Sequence, residues 1–101
     1  MSESAIRMSE TGELLLSGVL DYRTGPNLRK QGQVLIKSSK APALVVDCSA
    51  VEKSSSVGLS LLLCFMRDAQ VAGKAVSIRA MPEDMRKIAQ VSELTELLAH
   101  P

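Results

Sequence analysis

The segment Asp47-Cys48-Ser49-Ala50-Val51-Glu52-Lys53-Ser54-Ser55-Ser56-Val57-Gly58-Leu59-Ser60-Leu61-Leu62-Leu63 carries three structural instructions in a row. Its first residues close a short β-branched run, Ala43-Leu44-Val45-Val46-Asp47-Cys48, of the kind that fills a central buried strand. A short polar loop follows. From about Ser56 the pattern becomes a long apolar helix that runs to Val71, where Ala72-Gly73 supplies the usual C-terminal glycine. Three consecutive serines, Ser54, Ser55 and Ser56, stand at the junction. Serine is a favoured N-cap because its hydroxyl accepts from a backbone N–H that the first turn leaves unpaired, so at least one of the three is expected to cap the helix. Another is free to be a contact or a switch. A phosphate there is tolerated by the helix dipole yet adds about −2 of charge.

Elements on both sides support this junction. Residues 5–9 read as a short strand and Thr11-Gly12 as a hairpin turn. Glu13-Leu14-Leu15-Leu16-Ser17-Gly18-Val19 has too many apolar residues in a row for a half-wet strand, so both faces are expected to be covered. Thr24-Gly25-Pro26-Asn27 starts a helix, with Thr24 accepting from its free N–H groups. Leu28, Val34, Leu35 and Ile36 are expected inward on it, with Arg29, Lys30 and Lys37 outward. Lys74 to Ala80 alternates as an edge-like strand with Val76 and Ile78 on its apolar face. Pro82-Glu83-Asp84 opens a third helix that buries Met85, Ile88, Ala89 and Val91. Ser92 to Leu98 forms a final turn or short helix. The order is ββαβαβα, an α/β class, and strand–helix–strand steps imply parallel neighbours with right-handed crossovers.

The central helix has two apolar sides. At about 100° per residue, Leu59, Leu62, Leu63 and Met66 form one broad stripe toward the sheet. Leu61 and Phe65 fall on the opposite half, with Cys64 at a flank. Two readings stand: the last helix or tail covers Leu61 and Phe65, or they form an exposed patch that meets a partner.

Composition narrows the chemistry. The chain has 101 residues, the size of one domain spanning 1–101. Aromatic residues make up only 2%, so bases find no stacking platform, and a net charge of +1 leaves no electrostatic footprint for nucleic acid or an anionic membrane. No apolar run approaches the roughly 20 residues of a membrane span, and no secretion signal is visible at the start, so a cytoplasmic place is expected. Cys48 and Cys64, inside apolar segments, read as buried reduced thiols. The single histidine, His100, is penultimate and suits a solvated tail, which leaves no Ser–His–Asp, Cys–His or zinc set. Asp47 is expected to bond the N–H groups of residues 49–51. No enzyme, cofactor or metal is expected.

Two motifs make the chain resemble the STAS domain family, the fold shared by anti-sigma-factor antagonists and the cytoplasmic tails of sulfate transporters. Leu16-Ser17-Gly18-Val19-Leu20-Asp21 is similar to the family's strand ending in S-G-x-L-D. Val46-Asp47-Cys48-Ser49 through Ser56-Val57-Gly58-Leu59 is similar to its D-[LF]-S…D-[ST]-[SG]-G-L pattern. The resemblance covers almost the whole chain. It implies a small mixed sheet of about four strands, with helices packed mainly on one face and an antiparallel pair at the start. Ser56 matches the family's phosphorylatable Ser/Thr. Ser55 stands where aspartate is usual, and Val57 replaces a small residue; both depart from the pattern.

Within the family the chain is most similar to the cytoplasmic STAS subunits of phospholipid-transporting ABC complexes. That likeness implies a non-enzymatic regulatory or stabilising subunit, peripheral to the inner membrane, that binds an ABC ATPase subunit beside a permease and serves outer-membrane lipid asymmetry without touching lipid. The expected contacts are Ser54, Ser55, Ser56, Val57 and Gly58, with Leu61 and Phe65 if the patch faces outward. The alternative is an anti-sigma-factor antagonist that binds a serine kinase and is phosphorylated on Ser56.

Overall fold

The computed structural model describes residues 4–91. Strands β1 (Ala5–Met8) and β2 (Glu13–Leu20) precede helix α1 (Gly25–Ser38); β3 (Ala43–Ser54), α2 (Ser56–Val71), β4 (Ala75–Arg79) and α3 (Glu83–Val91) follow. The sheet order is β1-β2-β3-β4. The first pair is antiparallel, joined by the turn around Gly12, and the two later pairs are parallel. This is the mixed α/β sheet and ββαβαβα order read from the sequence. The expected final turn from Ser92 to Leu98, and His100, lie outside the described residues.

The core lies between one sheet face and the three helices. Leu14, Leu16 and Leu20 of β2, Leu44, Val46 and Cys48 of β3, and Val76 of β4 point into it. Leu28 and Ile36 of α1, Leu59 and Leu62 of α2, and Met85 and Ala89 of α3 meet them there. The expectation that both faces of β2 are covered is overturned. Its burial alternates residue by residue, with Leu15, Ser17 and Val19 only half-buried. Leu15 belongs to a second face whose neighbours on the sheet are polar, including Asp47 directly opposite.

Strand β3 departs furthest from the reading. The segment taken as a polar loop after Cys48 stays in the sheet to Ser54, paired with β2 through Leu20↔Ser54. Strand β4 ends opposite Asp47, so beyond that point β3 has only one neighbour. Its residues there face water on most sides, hence Ser49, Glu52 and Lys53, and only Val51 and Ser54 turn inward. Two register shifts accompany this stretch, one of them beside Gly18, whose φ of 88° suits glycine.

Helix α1 begins at Gly25 with Pro26 in its first turn. Thr24 precedes it but does not cap it with its side chain. The hydroxyl instead accepts from the Asp21 N–H at 3.0 Å and donates to the Val19 carbonyl at 2.9 Å, which locks the turn leaving β2. Val34, expected inward, is exposed, because the buried stripe of this helix is Leu28, Gly32 and Ile36 at one-turn spacing.

Candidate functional site

The serine junction is the end of β3 and the mouth of α2, and its three hydroxyls have three different jobs. Ser55 is the N-cap. Its backbone is extended (φ −87°, ψ −175°) and its Oγ accepts from the Val57 N–H at 3.1 Å. The same residue is tied to the end of β2: its N–H donates to the Leu20 carbonyl at 3.0 Å, and its hydroxyl donates there at 3.3 Å. Ser54 is buried, and its hydroxyl donates to the Ser55 carbonyl at 2.9 Å. Its N–H donates to Asp84 Oδ2 at 3.0 Å, so α3 braces the junction from the far side. Ser56 is the first helical residue and is exposed.

Gly58 is buried because this arrangement leaves no room beside it. A Cβ there would lie 1.9 Å from Ser54 Oγ and 3.2 Å from Leu20 Cβ. Ser54 and Gly58 therefore support the mouth from beneath and cannot face a partner, which corrects their expected role as contacts. The residues presented at the surface are Ser55, Ser56 and, half-buried, Val57.

Leu61 and Phe65 are also corrected. Leu61 is 4% exposed and Phe65 0%. Helix α1 lies across this side of α2. A Cβ on Gly32 would sit 2.3 Å from Phe65 Cε1, so the ring packs directly on the α1 backbone. Near the N-terminal ends of the two helices the contact opens into a cleft of about 260 Å³ with an apolar lining. Gly25, Pro26 and Arg29 wall it from α1, and Val57, Ser60, Leu61 and Cys64 from α2. The mouth and this cleft form one continuous surface through Val57.

The model described as Mlab, STAS domain matches residues 6–99. The chain belongs to the STAS domain family. Among solved structures, a chain of the Acinetobacter MlaFEDB complex in an ATP-bound conformation is 25% identical at a TM-score of 0.82, over 96% of this domain and 99% of that chain. An anti-sigma factor antagonist from Mycobacterium paratuberculosis is also 25% identical, at a TM-score of 0.73, over 98% of this domain and 85% of that chain. The anti-sigma factor antagonist SpoIIAA in its unphosphorylated form is 18% identical at a TM-score of 0.72, over 93% of this domain and 84% of that chain, and speaks to the fold alone.

Elsewhere in the STAS domain, several ionisable groups are engaged in structure. Asp47 accepts from the Ser49 N–H at 2.8 Å, as expected, but also from Arg79 at 2.6 Å, a partner that sequence reading missed. The arginine bond is the larger cause and the Ser49 bond the next, and together they lower the Asp47 carboxyl to about 2. Arg79 bonds Glu13 as well, so β2, β3 and β4 are tied by one guanidinium between two carboxylates. Register offered a signal, since Asp47 and Arg79 are direct cross-strand partners. Burial, reinforced by the Asp47 charge, pushes the Cys48 thiol up to about 12. Both cysteines are free, and Cys64, expected buried, is only half so because it lines the cleft. Among the described residues no three His, Cys, Asp or Glu are grouped to hold a metal ion, and no helix is long and apolar enough to cross a membrane.

One exposed aromatic was not singled out by the sequence. Tyr22 is 77% exposed in the turn after β2, with the Arg23 guanidinium 5.9 Å from its ring centre. Arg23 also pairs with Asp21 at 2.9 Å, which, through that bond first, holds the Asp21 carboxyl below its ordinary value. The Leu20 carbonyl that anchors Ser55 lies just before this turn, so Tyr22 belongs to the neighbourhood of the α2 mouth.

Proposed function

We propose that this STAS domain is a non-enzymatic regulatory subunit that binds the ATPase of an ABC phospholipid transporter of the Mla kind. The partner is an MlaF-like ATPase working beside a permease, and the domain sits at the cytoplasmic side of the inner membrane through that contact. Outer-membrane lipid asymmetry is the process served. The observation that carries the reading is the accessible mouth of α2: Ser55 and Ser56 are exposed on a frame fixed by hydrogen bonds to Leu20 and Asp84. A small polar rim on a rigid helix start lets another protein approach closely without refolding the domain. The likeness to a chain of the MlaFEDB complex, over nearly the full length of both, supports the same reading.

Co-expression with an MlaF-like ATPase tests it. The two proteins are expected to co-elute on size exclusion, and Ser56→Glu, at an exposed position, is expected to weaken the complex about tenfold while leaving the melting curve unchanged. Separate elution of the wild-type proteins would sink the proposal.

A second reading is favoured by one feature. Ser56 presents its hydroxyl at the first residue of a helix whose first turn holds no acidic side chain, a place that tolerates a phosphate. An anti-sigma-factor antagonist acting with a serine kinase would use that hydroxyl. Incubation with such a kinase and ATP, followed by intact mass measurement, tests it: a phosphate on Ser56 supports the antagonist, and an unchanged mass counts against it.

A further inference from the structure

We infer that the cleft between the N-terminal halves of α1 and α2 is a docking groove for an acidic segment of a protein partner, which inserts one apolar side chain between the helices. The inference deepens the proposed function and rests on it: the same partner that meets Ser56 continues along the groove through Val57.

Shape and chemistry both select this occupant. At about 260 Å³ the cleft lies below the roughly 300–1,000 Å³ of small-molecule sites, so it suits a side chain rather than a cofactor. Its lining is apolar: Arg29 contributes its aliphatic stem and turns its guanidinium to Asp68 at 3.3 Å. The floor therefore takes a Leu-, Met- or Phe-like group and offers it no polar partner. The rim has the opposite character. Helices α1 and α2 both begin here, and neither has an acidic residue in its first turn; the Asp21 carboxylate accepts from the Thr24 N–H just before α1, whereas the α2 end is capped by the neutral Ser55 hydroxyl. Lys30 follows Pro26 by one helical turn and Arg67 follows Ser60 by two, both exposed and neither in an ion pair among the described residues. Of the nearby carboxylates, Asp21 is paired with Arg23, Asp68 with Arg29 through Oδ1 while its buried Oδ2 has no partner among the described residues, and Asp84 bonds the Ser54 N–H. A partner surface with an apolar anchor flanked by Asp or Glu complements such a groove, and a basic one is repelled.

Cys64 reports occupancy directly. It is the half-buried thiol on the α2 wall, whereas Cys48 is buried at 1% exposure, so N-ethylmaleimide should label the folded domain once. The probe is a purified MlaF-like ATPase. Its addition is expected to slow Cys64 labelling about tenfold, and prior labelling, Ser60→Trp, or Lys30→Glu combined with Arg67→Glu is each expected to weaken the complex about tenfold. The charge-reversed domain should also lose most of the salt dependence of binding. All three variant positions are exposed, and circular dichroism checks that the fold survives. Labelling at an unchanged rate in the complex, with wild-type affinity for both variants, overturns the groove while a loss of binding in Ser56→Glu leaves the subunit reading standing. Cys64 protection that appears with the domain alone, at a dimer's mass, overturns it in favour of a second copy. Failure of the wild-type domain to bind the ATPase removes both.

Discussion

Ser55 and Ser56 are neighbours in sequence and opposite in role. The Ser55 hydroxyl is consumed by the Val57 N–H and the Leu20 carbonyl, while Ser56 offers its hydroxyl to the outside. Ser55→Ala is therefore expected to destabilise the domain by about 1 kcal/mol, as loss of an N-cap does, measured by chemical denaturation. Ser56→Ala should leave stability within about 0.5 kcal/mol, as at other exposed sites. The need for a cap was legible from local chemistry, because a cap bonds a neighbour two residues away. Gly32 was not legible in that way. It is the seat of the Phe65 ring, and a Cβ would lie 2.3 Å from Cε1. Because Phe65 is fully buried and cannot retreat, Gly32→Ala should destabilise the fold by about 1–3 kcal/mol in denaturant melts, and Phe65→Leu in the same chain should restore part of that loss.

At the scale of elements, α2 is a helix wrapped by apolar contacts on two sides, the sheet beneath and α1 beside. The amphipathic pattern showed both sides but not their covers. Since Leu61 is 4% exposed, Leu61→Asp should abolish the cooperative thermal transition rather than only weaken a complex. Leu62→Ala, at 0% exposure, should cost about 2–5 kcal/mol. Helix α1 ends on a device the sequence did not advertise. Lys74 Nζ donates to the Ile36 carbonyl at 2.7 Å and to the Ser39 carbonyl, closing the end of α1 with a cation from the loop before β4. Lys74→Met keeps the aliphatic stem and is expected to lower stability by about 1 kcal/mol, read from the urea midpoint. Strand β3 was cut short in the sequence reading because its last residues are polar. They are polar because β4 stops at Arg79 and leaves them on an outer edge, not because they leave the sheet.

Across the whole molecule, Glu13, Asp47 and Arg79 join three strands on the face away from the helices. The sign of their pH effect follows from Asp47, whose carboxyl is lowered from 3.8 to about 2 in the folded state. The resulting stability is fully present above the unfolded value and is lost as pH falls from about 4 to about 2. Arg79 is half exposed, so solvent screening keeps the contribution to about 1 kcal/mol, and Asp47→Asn should flatten that part of the acid limb in thermal melts. The sequence by itself determined the element order, the helix starts and stops, the edge character of β4 and the STAS resemblance, because each depends on spacing, propensity or turn chemistry within a few residues. Only the tertiary structure decided which apolar side of α2 lies under α1, which of the serines reaches the surface, and how Arg79 finds Asp47. Those outcomes depend on how separate elements pack against one another, and the periodicity of one segment records that a face is apolar without recording what will come to cover it.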